Sequence, residues 1–302
     1  MNAENKIIIN AFTDPLCTWC WGSEPIYRKL QSHFGDNIEF RPVMGGLVED
    51  LANFRDVKND IGGRSMADSN RDIANHWAEA AARHGMPVDS ENFNLFDDEH
   101  RSTYPQNIAY KAVQLADPGK AEIFMYNLRV ASAAQARLTN LESVLIEIAD
   151  ESGVDIPAFL RKLRDGTAEQ AFRGDLALTR HLGVHGFPTC LIKFNNQQIM
   201  LRGYRDFDTF VSIIDSLSQG AIKPIAPAQT AEALLDFMAN HPKMAIAEVR
   251  EAFNFATLQD AENFVVPLIE NGTLQKEIAG SSYFVVKPNL AGAGDLTTGD
   301  CG

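Results

Sequence analysis

The stretch DPLCTWCWGSEP, residues 14–25, places Cys17 and Cys20 at the junction between a predicted strand and a predicted helix. Apolar residues predict a short buried strand from Lys6 to Phe12, and the segment from Cys17 to about His33 has an amphipathic helical pattern. The free N–H groups and partial positive charge of a helix N-terminus favour a thiolate on Cys17. Cys20 lies one turn further, within reach to resolve a disulfide. The spacing therefore predicts thiol–disulfide chemistry, with Cys17 exposed and of low pKa, and Cys20 buried.

A zinc site is the alternative use of the two cysteines, because His181 and His185 have the spacing of a metal-binding pair. These histidines follow Cys20 by about 160 residues, whereas a zinc finger has roughly 12 to 15 residues between its two pairs of ligands. The mismatch favours redox chemistry. We therefore predict no metal, and we assign neither histidine a catalytic role.

The sequence around this segment predicts an α/β class. A second strand, Ile38–Met44, follows the helix and completes a strand–helix–strand unit, which is typical of two parallel strands. Helical patterns then fill most of the chain from about Met66 to Leu182. Extended structure returns as a hairpin from Thr189 to Arg202, and a helix from Asp206 to Leu217 follows it. This order predicts a large helical insertion at about 48–172.

The C-terminal quarter has a different pattern. The proline-containing segment 223–227 predicts a linker between a first domain, 1–222, and a unit spanning 228–290. Three helical patterns, one of them from Met244 to Phe253, and a final hairpin indicate a small winged-helix-like domain. Its four basic and eight acidic residues oppose a phosphate backbone, so we interpret it as a protein-contact or dimerisation element. The Gly-rich segment 291–302 predicts a disordered tail.

Composition excludes several classes of protein. At about 150 residues per domain, the 302 residues suggest two domains, and a 45% apolar content is sufficient for a core. No apolar run approaches the roughly 18 residues of a membrane span or resembles a signal peptide, so we expect a cytoplasmic protein. A net charge of −13 argues against nucleic acid and anionic membranes as main partners. Four cysteines are too few for a disulfide scaffold.

Four further residues receive structural interpretations. Cys190, on a predicted strand, is expected to be a small buried hydrophobe. Cys301 lies in the predicted tail as an incidental exposed thiol. Asp14 and Glu24 flank the two cysteines, and we interpret each as a solvated carboxylate.

Two segments together resemble the DsbA-like group of the thioredoxin superfamily. DPLCTWCWGSEP is similar to the active-site segment of that family, and DLALTRHLGVHGFPTCLI, residues 175–192, is similar to the segment that leads into its cis-proline strand. The resemblance covers roughly residues 5–220 and implies a thioredoxin-like fold with a helical insertion. It implies Cys17 as the nucleophile, Cys20 as the resolving thiol, and Pro188 in cis beside them.

The resemblance also implies how a substrate binds. The backbone at Phe187, before the cis-proline, pairs with a bound peptide in such folds, and Thr18 and Trp19 are predicted to contact the substrate. No metal or nucleotide cofactor is implied. Thr18-Trp19 replaces the Pro-His dipeptide of the periplasmic oxidants and contains no His, Lys or Arg that would lower the pKa of Cys17 further. We therefore expect moderate oxidising power.

Three functions follow from these features. The first is a thiol–disulfide oxidoreductase that acts on protein or peptide disulfides. The second is a protein-binding adaptor, because DPLCxxCW, then EPxxxKL at residues 24–30, is also similar to the adaptors that deliver the Spx regulator to the ClpXP protease. The third is a glutathione-dependent isomerase or transferase of the kappa type. The intact C-x-x-C favours the first, since a pure adaptor needs no dithiol and the kappa chemistry needs only one thiol or hydroxyl.

Overall fold

Two β-sheets and the helices around them form the computed structural model, which describes residues 6–280 and 282–288. The first sheet contains β1 (Ile7–Thr13), β2 (Ile38–Met44), β3 (Thr189–Phe194) and β4 (Gln197–Arg202). Its strand order is β2-β1-β3-β4, with β1 parallel to β2 and antiparallel to β3, and β4 antiparallel to β3. The α/β class with a thioredoxin-like sheet is confirmed.

The helix that follows β1 is interrupted. The sequence predicts one helix with a kink at Gly22 and Pro25, whereas the structure has two helices, α1 (Thr18–Trp21) and α2 (Glu24–Phe34). Pro25 occupies the first turn of α2, where its missing N–H removes no helical hydrogen bond. The short helix α1 leaves Cys17 as its N-cap residue.

The helical insertion lies between β2 and β3, and its last helix runs past the predicted end at about residue 172. Its helices are α3 (Met66–His84), α4 (Tyr104–Ala116), α5 (Ala121–Arg129), α6 (Glu142–Glu151), α7 (Ile156–Arg164) and α8 (Thr167–His181). A π-helical turn, Val130–Ala134, continues α5 directly after Arg129. Short 3₁₀ turns occupy Gly35–Asn37 and Pro118–Lys120. After β4, helix α9 (Phe207–Ser218) packs with α2 against the first sheet.

The C-terminal unit contains a strand that the sequence pattern missed. Its elements are α10 (Ala231–Phe237), β5 (Lys243–Ala245), α11 (Ile246–Ala252), α12 (Leu258–Glu270), β6 (Gln275–Ala279) and β7 (Ser282–Val286). The helix predicted from Met244 begins instead at Ile246, because Met244 and Ala245 pair with β7. The sheet order β5-β7-β6 and the order of the helices confirm a winged-helix-like unit. The predicted disordered tail lies outside the described residues.

The C-terminal unit shares a hydrophobic core with the segment that carries the cysteines. Trp21 packs against Tyr126 of α5 and Phe284 of β7, with ring centroids 5.5 and 6.3 Å away. Ala245 and Ala247 belong to the same buried cluster. The predicted boundary at 223–227 stays a proposal, but the two segments pack together beside the dithiol. Within the described ranges, no helix is both long and apolar enough to cross a membrane.

Candidate active site

Cys17 and Cys20 differ in their access to solvent-filled space. Sγ of Cys17 accepts a hydrogen bond from the backbone N–H of Cys20 at 3.3 Å, and it lies 3.7 Å from the carbonyl oxygen of Phe187. Cys17 lines a cavity of about 600 Å³, and Cys20 does not. Both thiols are nevertheless buried, with 6% and 1% of their surface exposed. The expectation of an exposed Cys17 is therefore wrong, because the wall of this cavity, with Phe187, covers it.

The two thiols also share their ionisation. A hydrogen bond to Cys20 raises the pKa of Cys17, and burial raises it further. Burial opposes the ionisation of Cys20, but the Cys17 thiol, the Arg129 guanidinium and the Thr13 hydroxyl together lower its pKa. The pKa of Cys17 is therefore raised, which contradicts its expected low pKa. A four-residue helix does not outweigh the buried cation behind Cys20.

That cation belongs to a buried cluster that the sequence analysis missed. Arg129 donates from Nη2 to Oγ1 of Thr13 at 2.6 Å and forms an ion pair with Glu24. Glu24 is buried, with only 7% of its surface exposed, so its interpretation as a solvated carboxylate is wrong. The signal for Arg129 was present in the sequence, since it stands between Leu128 and Val130 in an apolar helical stretch. A cation at such a position requires a buried anionic partner.

Asp14 is also buried rather than solvated, and it organises the loops around the cysteines. It accepts hydrogen bonds from the backbone N–H groups of Leu16 and Leu47, at 2.8 and 2.7 Å. Thr103 and Asn107 of the insertion donate to the same carboxylate from their side chains. Burial raises the pKa of Asp14, although all four hydrogen bonds oppose the shift. Asp14 thus ties the strand that precedes Cys17 to the insertion.

The loop before β3 forms the wall opposite Cys17. The peptide bond between Phe187 and Pro188 is cis. The Phe187 ring lies against Gly45 at the end of β2, where an added Cβ would be 2.0 Å from the ring. Beyond the loop, the carbonyl of Pro188 accepts a hydrogen bond from the N–H of Gly203 at 2.8 Å. The loop therefore directs the Phe187 carbonyl toward Cys17.

Aromatic and charged side chains surround the remainder of the cavity. Thr18, Trp19 and Phe187 line it with Cys17, whereas Pro188 and Cys20 stand behind its surface. Other polar and aromatic residues of the lining include Arg55, Asp56, His76, Trp77, Tyr104, Arg180 and His185. The ring of Trp19 lies 5.6 Å from that of Tyr204, measured between centroids. Aromatic, cationic and anionic side chains therefore line the cavity next to the Cys17 thiol.

Of the remaining predicted residues that the structure describes, His185 lines this cavity and the others lie apart from it. Cys190 is buried, as predicted, and its sulfur lies 3.5 Å from the Tyr27 hydroxyl; burial raises its pKa to about 12. His181 does not line the cavity, although His185 does. No group of three or more His, Cys, Asp or Glu side chains able to hold a metal occurs in the described part of the chain. Cys301 lies outside the described residues.

Comparison with known sequences matches the chain to one family and to one group of relatives. The family model described as thioredoxin matches residues 10–212. The chain is 28% identical over 264 residues to the ClpXP adapter protein SpxH of Halalkalibacterium halodurans, which covers 86% of this chain and 82% of the relative. It is 26% identical over 220 residues to SpxH of Bacillus subtilis, covering 72% and 69%.

Solved structures show the same fold at low sequence identity. A putative protein disulfide isomerase from Nitrosomonas europaea superimposes with a TM-score of 0.60 at 20% identity, covering 72% of this chain and 99% of that one. A probable DsbA oxidoreductase from Streptomyces coelicolor gives 0.54 at 19%, covering 75% and 97%. The cytosolic disulfide reductase DsbM from Pseudomonas aeruginosa gives 0.51 at 20%, covering 70% and 93%.

Proposed function

Because the chain belongs to the thioredoxin family, we propose that it is a thiol–disulfide oxidoreductase that acts on protein or peptide disulfides through Cys17 and Cys20. One observation carries this proposal. Of the two thiols, only Cys17 lines the cavity, where it faces the backbone carbonyl of Phe187 at 3.7 Å, and Cys20 lies behind it beside Arg129. A nucleophile with access to substrate and a protected resolving thiol are the two parts that disulfide exchange requires.

The exchange conserves protons and electrons within the thiols. Cys17 loses its proton and attacks one sulfur of the substrate disulfide, and the other substrate sulfur leaves as a thiolate that takes up a proton. Cys20 then loses its proton and attacks Sγ of Cys17, which releases the second substrate thiol. The dithiol is oxidised by two electrons and the substrate is reduced by two. A thiol reductant reverses the oxidation, and the difference in reduction potential sets the direction.

Three residues of the cavity are proposed to hold the substrate. An extended peptide adds to the backbone of Phe187, with Pro188 positioning that loop beside the dithiol. Thr18 and Trp19 contact the residues that flank the substrate disulfide. No metal or nucleotide takes part in this chemistry. A cytoplasmic location stays a prediction.

A protein-binding adaptor is the second candidate, and the relatives named SpxH favour it. Their similarity extends over 86% of the chain in one case and therefore reaches beyond the family match at 10–212. The C-terminal unit also exposes apolar side chains on α12 and β6, namely Leu258, Val266 and Ile278. Exposed apolar side chains of this kind are available to a protein partner or a dimer contact. The two candidates are compatible, because the dithiol and this surface are different parts of the chain.

Reduction of insulin by dithiothreitol tests the proposed function. The wild-type protein should accelerate it, and Cys17→Ser should abolish the acceleration because no nucleophile then reaches the cavity. Cys190→Ser is the matched control, since it removes a buried cysteine that lies outside the cavity. A wild-type rate no higher than that of Cys17→Ser would contradict the oxidoreductase and leave the adaptor as the better candidate.

A further inference from the structure

Four buried side chains of alternating charge connect Cys20 to the C-terminal unit. Arg129 interacts electrostatically with Cys20, and Glu24, Arg28 and Glu248 follow in that order. Each has 7% or less of its surface exposed. Glu248 belongs to α11, so this row of charges crosses from the thioredoxin-like segment into the winged-helix-like unit. We call these four residues the buried charge row.

The contacts along the buried charge row are direct. Glu24 pairs with Arg129 and also lies 4.0 Å from Nη2 of Arg28. Nε of Arg28 donates to Oε1 of Glu248 at 3.2 Å. The other oxygen of Glu248 accepts from the Tyr126 hydroxyl at 2.5 Å and from the N–H of Ala245 at 2.7 Å. Glu248 is therefore held on both oxygens.

Gln31 and Glu122 contact the row from the solvent side, and Oε1 of Gln31 accepts a hydrogen bond from Nη1 of Arg28 at 3.0 Å. Glu122 of α5 lies 2.8 Å from Nη1 of Arg28, and His241 lies 3.5 Å from Glu122. The side chain of Glu122 is 57% exposed, so solvent screens its charge more than that of Glu248, whose side chain is fully buried. Glu248 is thus the anion that neutralises Arg28 without competition from water.

We infer that Glu248 is a positioning residue for the dithiol. It pairs with Arg28, so that Glu24 remains paired with Arg129. These two pairings set the electrostatic potential at Cys20. This inference rests on the proposed function in that it concerns the same dithiol. When it is ionised, the reduced pair carries a negative charge that the disulfide lacks. A negative charge in the row therefore disfavours the reduced form, and a positive charge favours it.

Loss of the Glu248 charge should stabilise the dithiol form for two reasons. It removes an anion from the low-dielectric interior, which stabilises the Cys20 thiolate. It also frees Arg28 to attract Glu24 away from Arg129, which increases the positive potential at Cys20. Both effects make the dithiol form more stable relative to the disulfide. The C-terminal unit thereby makes the active site a weaker oxidant.

The test measures the equilibrium of the Cys17–Cys20 pair with reduced and oxidised dithiothreitol in the full chain. Burial raises the pKa of Glu248 to about 7, so the measurement is made at about pH 8, where the carboxylate is ionised. Glu248→Gln should shift the equilibrium about threefold toward the dithiol, or roughly 14 mV at 29.6 mV per tenfold change. Arg28→Met should shift it in the opposite direction.

A matched control lies on the same helix. Glu251 of α11 pairs with Lys29 at 3.4 Å outside the row, so Glu251→Gln should leave the equilibrium unchanged.

If Glu248→Gln matches Glu251→Gln, or if Glu248→Gln and Arg28→Met shift the equilibrium in the same direction, the inference is wrong. If Glu248→Gln does not fold, the same equilibrium is measured for Glu24→Gln. We then expect a larger shift toward the dithiol, and the absence of a shift would contradict the inference. The wild-type pair could equilibrate with dithiothreitol and yet reduce no peptide disulfide. That result would contradict the proposed function but not this inference.

Discussion

At the scale of single residues, burial and charge divide the work between the two cysteines. Cys17 is the thiol that the cavity reaches, whereas the Cys17 thiol, Arg129 and Thr13 lower the pKa of the buried Cys20. The two thiols consequently titrate as a pair, and an apparent pKa belongs to the pair rather than to either residue.

His84 provides a pH-dependent contribution to stability beside the same site. Burial lowers its pKa to about 4, and Nδ1 accepts from the N–H of Met86 at 3.1 Å, which leaves the ring neutral in the folded state. The unfolded chain takes up a proton near pH 6.5, so stability falls as the pH drops from about 6.5 to 4. His84→Gln should remove this loss, on the order of 3 kcal/mol.

Urea unfolding at about pH 7 and pH 4.5 checks this prediction. His181→Gln changes an exposed side chain at the end of α8 and serves as the control, which should retain the wild-type pH dependence. A stability of His84→Gln that falls with acid as steeply as that of the wild type would contradict a neutral buried imidazole.

At the scale of elements, the end of β2 and the loop before β3 meet at the cavity that Cys17 lines. Gly45 follows β2, and its missing Cβ makes room for the Phe187 ring. The same loop presents the Phe187 carbonyl to Cys17. Glycine is required at position 45 because the Phe187 ring approaches its Cα closely, and not because of an unusual backbone angle.

Gly45→Ala should therefore impair catalysis more than folding. The added methyl group must displace the Phe187 ring, and displacing the loop by about 1 Å lowers kcat/KM for a peptide disulfide by about tenfold or more. Gly174→Ala on α8 is the matched control, because a Cβ there meets nothing within 4 Å. Steady-state kinetics on one peptide disulfide compares the variants. Unchanged kcat/KM in Gly45→Ala would show that the ring position does not matter.

At the scale of the whole molecule, the C-terminal unit supports the active-site helix. Phe284 packs on Trp21, the residue after Cys20, whereas its neighbour Val285 packs inside the C-terminal unit. The two side chains point to opposite faces of β7, as successive residues in a strand do. One strand thus contributes to two cores.

Phe284→Ala and Val285→Ala should consequently differ at Trp21. Phe284→Ala leaves a cavity in the shared core and should lower the free energy of unfolding by about 3–5 kcal/mol. It should also shift the NMR resonance of the Trp21 indole N–H, which donates to the carbonyl of Pro87 at 2.9 Å. Val285→Ala should destabilise the protein but leave that resonance in place. Equal shifts in the two variants would contradict the assignment of Phe284 and Val285 to different cores.

Features encoded within short segments were the ones that the sequence could predict. Cys17, Cys20 and the strands beside them follow from local pattern, as does the helical insertion. The strand at Lys243–Ala245 was missed because three residues carry no detectable alternation. Arg129 and Glu24 are 105 residues apart, and Arg28 and Glu248 are 220 apart, so no local pattern links them. The protonation of the dithiol depends on those partners, which explains why the expected pKa of Cys17 was wrong.

Trapping of the mixed disulfide tests most directly that Cys17 attacks and Cys20 resolves. Each single variant, Cys17→Ser and Cys20→Ser, is incubated with a peptide disulfide, and the covalent adduct is located by mass spectrometry after alkylation of free thiols. Cys20→Ser should accumulate the peptide on Cys17, because capture proceeds and resolution does not. Cys17→Ser should accumulate none. Equal adducts on both variants, or no adduct on Cys20→Ser, would contradict the two-step exchange.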